Sequence, residues 1–295
     1  MAANGILIID KPQGWTSMDV CAKLRGKFRE KRVGHGGTLD PMATGVLPVF
    51  FGRATRAVEF AADSDKEYIA GLKLGIITNT QDTTGEVLES RPVAVGREDL
   101  DAVLARFTGP IEQIPPMYSA IKKDGRKLYE LARKGVEVER KPRPVTIHAL
   151  ELLKEPPFGW TGEEHTCFLR VRCSKGTYVR TLCHDIGQAL GCGGCMSALR
   201  RTEAGGCSLG ESHTLEQVLE AGDPTVLLRP ADSCFMAYPP LTISGRAVFR
   251  AKNGNPFPAR VPDGEYRVYS DEGEFLLLGR AQGGQVSTIK SFFEV

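Results

Sequence analysis

The chain has no apolar run long enough to span a bilayer, so it offers no membrane helix. Its first ten residues, Met1 to Asp10, hold neither a basic segment nor a long apolar core ahead of a cleavage site. A cytoplasmic protein is the expectation. Net charge is nearly absent too, at +2, so the whole chain does not announce a nucleic-acid partner; local clusters have to make that case. The eight cysteines follow no regular spacing, unlike those of a small disulfide scaffold. Internal repeats and low-complexity tracts are missing. What is present is ordinary for a soluble protein: 295 residues, 41% of them apolar and 25% charged, enough for one large domain and a small one.

One stretch stands apart, Gly34-His35-Gly36-Gly37-Thr38-Leu39-Asp40-Pro41-Met42-Ala43-Thr44-Gly45-Val46-Leu47. Its glycines permit tight turns and close backbone approach. Pro41 removes a backbone donor and biases Asp40 away from the helical region, so a carboxylate sits on a constrained loop near His35 and Thr38. Taken alone, Asp-Pro in a glycine-rich segment reads as a surface turn. A phosphate-binding loop is excluded, because no Gly-Lys-Ser/Thr ends the stretch.

Around it the chain alternates strands and helices. Gly5 to Ile9 reads as a buried strand, and Thr16 or Ser17 as the cap of a helix carrying Val20, Leu24 and Phe28. Leu47 to Phe51 is strand-like and Arg53 to Ala62 helical. From Lys66 to Leu74, Tyr68, Ala70, Leu72 and Leu74 alternate with Ile69, Gly71 and Lys73, which predicts a strand with two distinct faces. A helix is predicted over residues 97–107, strands over Val145–Leu153 and Cys167–Cys173, and a helix from Thr177 to Leu190 with Leu182, Ile186 and Leu190 inward. Residues 122–144 hold nine Lys or Arg against four acids, bracketed by prolines and interleaved with Tyr129. A solvated helix face has such charges, and so does an arm that grips a nucleic-acid backbone. Beyond Tyr238 helical periodicity is lost, and short strand-like runs separated by Gly, Pro and Asn predict a small β unit.

The fourteen-residue stretch resembles the catalytic motif of the TruB family of pseudouridine synthases, G-H-x-G-x-L-D-P-x-A-T-G-x-L, with every fixed position met. The resemblance covers most of residues 5–235. Leu7-Ile8-Ile9-Asp10-Lys11-Pro12-Gln13-Gly14 is similar to the family's N-terminal motif, Asp65-Lys66-Glu67-Tyr68 to the strand bearing its active-site tyrosine, and Cys173-Ser174-Lys175-Gly176-Thr177-Tyr178-Val179-Arg180-Thr181-Leu182 to its third motif. Gln113-Ile114-Pro115-Pro116-Met117-Tyr118-Ser119-Ala120 resembles the approach to its RNA-gripping insertion, placed at about residues 114–144, and the tail resembles its PUA-like domain.

The resemblance implies a stand-alone bacterial enzyme that converts uridine 55 in the T-arm of tRNA to pseudouridine, acting as a monomer without an obligatory protein partner. The reaction needs no redox change, so no cofactor is expected. Asp40 is the implied catalytic carboxylate, either as nucleophile or as the base that takes a ribose proton. Arg180 is the implied cationic partner of that carboxylate, favouring its ionised form. Tyr68 is the implied stacking platform for a flipped base, whose removal from its stack costs a few kcal/mol. Tyr178 and Leu199 line the implied pocket, Leu199 chiefly as packing, and His35 contacts RNA near the flipped nucleotide. Lys11 is a structural brace with no chemical step.

The expected fold is α+β: a catalytic domain over residues 1–237 with a curved mixed sheet flanked by helices, its active site in a cleft across the sheet. A small β-rich PUA-like RNA-binding domain follows over 238–295. Two other functions stay in view, the catalytic subunit of a guide-RNA ribonucleoprotein and an RNA-binding or RNA-folding module without catalysis. The complete insertion before Val145 and the short tail speak against the first, and Asp40, Tyr68 and Arg180 together against the second. Cys192-Gly193-Gly194-Cys195 has the form of half a zinc site or a redox pair. No second C-x-x-C completes it, although Cys183, His184 and Cys207 are near in sequence, so a structural turn is expected and no metal.

Overall fold

The strand Gly5–Lys11 (β1) opens the computed structural model, which describes residues 3–123 and 125–293. The outermost domain limits, residues 1 and 295, lie outside the described residues. Two compact units are formed. The first takes the chain up to Asp40, Leu47–Asp63 and everything from Gly205 onward; the second takes Pro41–Val46 and Ser64–Ala204.

In the first unit, Thr16 starts the helix Ser17–Phe28 (α1). Its hydroxyl accepts from the Asp19 amide at 3.1 Å while the Asp19 carboxylate accepts from the Thr16 amide at 2.9 Å, a reciprocal cap that satisfies two helix-end donors. Val20, Leu24 and Phe28 then fall on one side and bury against Leu7, Ile9, Leu47, Val49 and Phe51. The strand Val33–His35 (β2) pairs antiparallel with Thr44–Phe51 (β3), so the glycine-rich stretch is the turn of a hairpin. The helical signal over 53–62 resolves into a 3-10 segment, Gly52–Ala57, that becomes α-helical only over Val58–Ala62 (α2).

The second unit runs through Lys66–Leu74 (β4), Ile76–Thr78 (β5), Val87–Ser90 (β6), Arg97–Arg106 (α3), Gly109–Gln113 (β7), Lys122–Lys123 (β8), Arg126–Lys127 (β9), Leu128–Ala132 (α4), Arg143–Leu152 (β10), Thr166–Cys173 (β11), Val179–Ala189 (α5) and Gly194–Ala204 (β12). Its sheet has the order β12-β4-β11-β10-β7, and the start of β3 pairs in parallel with β12. The strand predicted over Lys66–Leu74 is present with those bounds as β4. Ile69 and Gly71 are buried along with Tyr68, Ala70 and Leu72, because a central strand is covered on both faces; only Glu67 and Lys73 keep partial exposure. Leu190, predicted to face inward, is only half-buried where α5 ends.

From Gly205 the first unit resumes with Cys207–Ser208 (β13), His213–Thr214 (β14) and Leu215–Glu220 (α6), β14 lying parallel to β1. The strands Pro240–Ile243 (β15), Phe257–Pro258 (β16), Gly264–Ser270 (β17), Phe275–Gln282 (β18) and Gln285–Ser291 (β19) form a five-stranded sheet, ordered β15-β17-β18-β19-β16. The expectation that helix is lost beyond Tyr238 is corrected by Arg246–Lys252 (α7). Ala247, Val248 and Ala251 of α7 face the core of this sheet, but a seven-residue helix is too short for that set to show a helical period in the sequence. Phe235 packs on Phe60 of α2 and on Phe292, at ring separations of 5.1 and 5.5 Å, and Lys290 pairs with Glu59 at 2.6 Å.

Candidate active site

Asp40 is half-buried at the tip of the β2–β3 hairpin, and each side of it is anchored. Upstream, the Ser17 hydroxyl accepts from the Leu39 amide at 2.9 Å and donates to the Leu39 carbonyl at 3.3 Å. Thr16 therefore caps α1, while Ser17, the alternative cap in the sequence, holds the loop. Lys11, fully buried, donates to the carbonyls of Pro12 at 2.9 Å and Trp15 at 2.6 Å, fixing the turn that delivers α1 and with it Ser17. Downstream, Thr44 and Gly45 pair with Arg200 and Arg201 of β12. Gly45 has φ +100°, and a Cβ there would lie 2.2 Å from the Arg201 carbonyl oxygen; only glycine fits. His35 is half-buried on β2 opposite Val49.

In the second unit, Tyr68 lies on β4 directly opposite Arg201 of β12 and Val171 of β11. Leu199 sits two residues before Arg201, opposite Ala70, so Tyr68, Leu199 and Arg201 share one sheet face. Tyr68 is 8% exposed and Leu199 7%. Tyr178 stands at the N-cap of α5 without a side-chain cap of its own. The Gln113 side chain instead pins the backbone of the N-cap residue. Its oxygen accepts from the Tyr178 amide at 2.8 Å, and its nitrogen donates to the Tyr178 carbonyl at 3.0 Å. Arg180, in the first turn of the helix and 5% exposed, donates to the carbonyls of Thr80 at 3.2 Å and Tyr118 at 2.8 Å. It also faces Asp82 at 3.9 Å. The structure thus gathers Tyr68 with Leu199, and Tyr178 with Arg180, within the second unit; Asp40, His35 and Lys11 belong to the first.

Three contributors escape sequence reasoning. Gln113 and Ser17 lie inside recognisable segments but act on backbone groups far along the chain. Asp82 left only a local sign, the polar run Thr80-Gln81-Asp82-Thr83-Thr84, which has turn chemistry. In the fold its Oδ1 accepts from the Thr80 hydroxyl at 2.8 Å, the Thr84 hydroxyl at 2.6 Å and the Thr84 amide at 3.0 Å.

The basic segment forms the β8–β9 hairpin, with Lys122, Lys123 and Arg126 exposed. Lys127 of this hairpin and Arg133 lie 5.4 and 5.3 Å from the centroid of the Tyr129 ring, cation–π contacts on both counts. Cys192 and Cys195 are buried at the turn from α5 into β12. A Cβ on Gly187 would lie 2.2 Å from the Gly194 amide, so the glycines here serve close helix–strand approach. Burial pushes the Cys195 thiol up to about 11, which keeps it protonated at neutral pH. Among the described residues no cluster of three or more His, Cys, Asp or Glu has metal-binding geometry. None of the described helices is long and apolar enough to cross a membrane.

Known proteins are similar to this chain in sequence and in fold. The family model described as TruB family pseudouridylate synthase, N-terminal domain, matches residues 25–179. That described as tRNA pseudouridylate synthase B C-terminal domain matches residues 180–235. The tRNA pseudouridine synthase B of Pseudomonas fluorescens is 46% identical over 295 residues, covering 96% of this chain and 94% of the relative. That of Pseudomonas aeruginosa is 46% identical over 287 residues, covering 94% and 91%. Among solved structures, one from a Cbf5-Nop10-Gar1 complex superposes with a TM-score of 0.74 at 28% identity, over 99% of this chain and 86% of the other.

Proposed function

The chain belongs to the TruB family of pseudouridine synthases, and we propose that it isomerises uridine 55 in the T-arm of tRNA to pseudouridine. The observation that carries this reading is the complete motif from Gly34 to Leu47, with Asp40 on a loop held by Ser17 on one side and by β12 on the other. A carboxylate with so little slack suits a reaction that demands a fixed geometry.

Pseudouridine formation breaks the bond from ribose C1′ to N1 of uracil and forms one from C1′ to C5. The proton on C5 is lost and N1 gains one, so the reaction balances without an outside reagent and no cofactor is assigned. Asp40 serves this chemistry either by attacking C1′ as uracil departs or by removing a ribose proton; both routes need the ionised form. Tyr68 is assigned to stack on the flipped base, with Leu199 and Tyr178 lining its pocket. Arg180 is assigned the positive charge that favours an ionised carboxylate, and His35 a contact to RNA beside the flipped nucleotide. The β8–β9 hairpin grips the phosphate backbone, and residues 238–295 act as a PUA-like RNA-binding domain after the catalytic domain of 1–237. The protein acts in the cytoplasm as a monomer, with tRNA as its partner.

The test is tritium release from C5-labelled uridine in a T-arm stem-loop, with the purified protein and no guide RNA. Conversion at the position equivalent to 55 is expected, since such an enzyme reads local RNA shape and a splayed loop base. A second reading, the catalytic subunit of a guide-RNA assembly, draws on the likeness to the Cbf5-Nop10-Gar1 structure. Conversion only after guide RNA and protein partners are added would establish that reading instead. Binding of the hairpin without conversion in either setting would leave an RNA-binding module.

A further inference from the structure

Arg201 is a buried cation to which the proposed chemistry gives no part. It is 1% exposed and stands among the largest fully buried side chains. A charge at that depth persists only where hydrogen bonds replace its lost hydration. Its Nε donates to the Val46 carbonyl at 2.7 Å, a bond from β12 to the tail of the motif. The backbone pairing there is brief, Arg200 with Thr44 and Arg201 with Gly45. Two side-chain bonds lengthen it, the one to Val46 and one from Arg200 Nη1 to the Thr44 hydroxyl at 3.2 Å. The packing is tight from the other side as well, since a Cβ on Gly45 would lie 2.2 Å from the Arg201 carbonyl oxygen and 2.8 Å from its amide nitrogen. Across the next strand Arg201 stands opposite Tyr68.

From these contacts we infer that Arg201 is a positioning residue for the reaction. Its guanidinium fixes Thr44–Val46 to the strand pair that carries Tyr68 and Leu199. The inference rests on the roles proposed above for Asp40 and Tyr68. Thr44 follows Asp40 by only four residues, and each trans peptide advances the chain by about 3.8 Å at most, so slack at the anchor becomes slack at the carboxylate. A misplacement of about 1 Å in a reacting group costs roughly a hundredfold in rate. A buried arginine that only filled space would give stability and nothing else.

Three variants of the full chain separate these roles: Arg201→Lys, Arg201→Gln and Gly45→Ala. Lysine keeps the charge but has no Nε–H at the guanidinium position, glutamine loses the charge, and alanine at position 45 attacks the contact from the opposite strand. The readouts are hydrogen exchange over residues 41–46 and over β4, hairpin affinity, and single-turnover pseudouridine yield at saturating RNA. Arg201→Lys and Gly45→Ala are expected to bind the T-arm hairpin within about threefold of wild type and to convert it about a hundredfold more slowly. Both should exchange faster at 44–46 while β4 stays protected. Wild-type rate and wild-type exchange at 44–46 in folded Arg201→Lys would overturn the inference, as would loosening of the whole sheet with the rate per folded molecule unchanged. Should Arg201→Gln fail to fold, the other two variants decide. Should the wild-type protein leave the hairpin unmodified, the functional reading fails, and exchange at 44–46 still decides whether Arg201 holds the anchor.

Discussion

Asp82 faces Arg180 at 3.9 Å, and each side chain is 6% exposed. One carboxylate oxygen of Asp82 is occupied by Thr80 and Thr84, which fixes the carboxylate within its own turn. The other oxygen is turned toward Arg180, which also donates to the carbonyls of Thr80 and Tyr118. The guanidinium is therefore aimed from three directions before any RNA arrives.

Asp82→Asn tests that arrangement. Asparagine can keep the turn but removes the charge opposite a buried arginine, a change that costs about 3–5 kcal/mol when the pair is fully buried. Unfolding in urea is expected to show a loss in that range or somewhat below it, because the 3.9 Å separation is long. Single-turnover conversion should fall about tenfold or more, with hairpin affinity nearly unchanged. A variant as stable and as fast as wild type would mean that Arg180 is held in place without Asp82.

The basic hairpin makes a separate claim about salt. Replacing Lys122, Lys123, Arg126 and Lys127 with glutamine removes four candidate phosphate contacts, each adding about 0.7–0.9 to the slope of log affinity against log salt concentration. The measurement is hairpin affinity across a salt series, and the slope is expected to shrink by about 3. Single-turnover chemistry at saturating RNA should hardly move. An unchanged slope would make the segment a solvated surface.

Asp185 on α5 ties stability to pH. Burial raises its carboxyl from 3.8 to about 6, so between those values the folded protein holds a proton that the unfolded chain has released. Stability from this group is present below the window and lost as pH rises through it. Neighbouring His184 acts in the opposite sense: burial lowers its pKa, so charging it at acid pH opposes folding. Asp185→Asn removes only the first effect. Its gain in Tm over wild type should be largest near pH ~7.5 and vanish near pH ~4, by thermal unfolding at each pH. A gain that is the same at both pH values would show that asparagine improves packing rather than abolishing a titration.

Much of this was legible in the sequence where one residue type serves one local purpose. A cap at Thr16 or Ser17, the i, i+4 face of Val20, Leu24 and Phe28, and the Asp40 motif are patterns of neighbours along the chain, although the part of Asp19 in the cap was not read. What was hidden depends on distant partners. Ser17 looks like a second cap until Leu39 is found beside it, and Gly45 looks like one more flexible glycine until β12 passes within van der Waals range. Asp82 and Gln113 are ordinary polar residues whose work is done on Arg180 and Tyr178. The alternation over Lys66–Leu74 found β4 but not its burial on both faces, which comes from its central place in the sheet; α7 was missed because its apolar set, Ala247, Val248 and Ala251, spans too few residues to show a period.

The central claim is that Asp40 carries the chemistry, and Asp40→Asn tests it most directly. Asparagine nearly preserves size and hydrogen-bond acceptance but loses the charge and almost all basicity, so nucleophile and proton-base routes both stop. The measurement sets T-arm hairpin affinity beside single-turnover pseudouridine yield, with circular dichroism confirming the fold. Affinity is expected to persist, because phosphate contacts and RNA shape supply it, while yield falls to background. A folded Asp40→Asn protein that still converts uridine at a substantial rate would contradict the account.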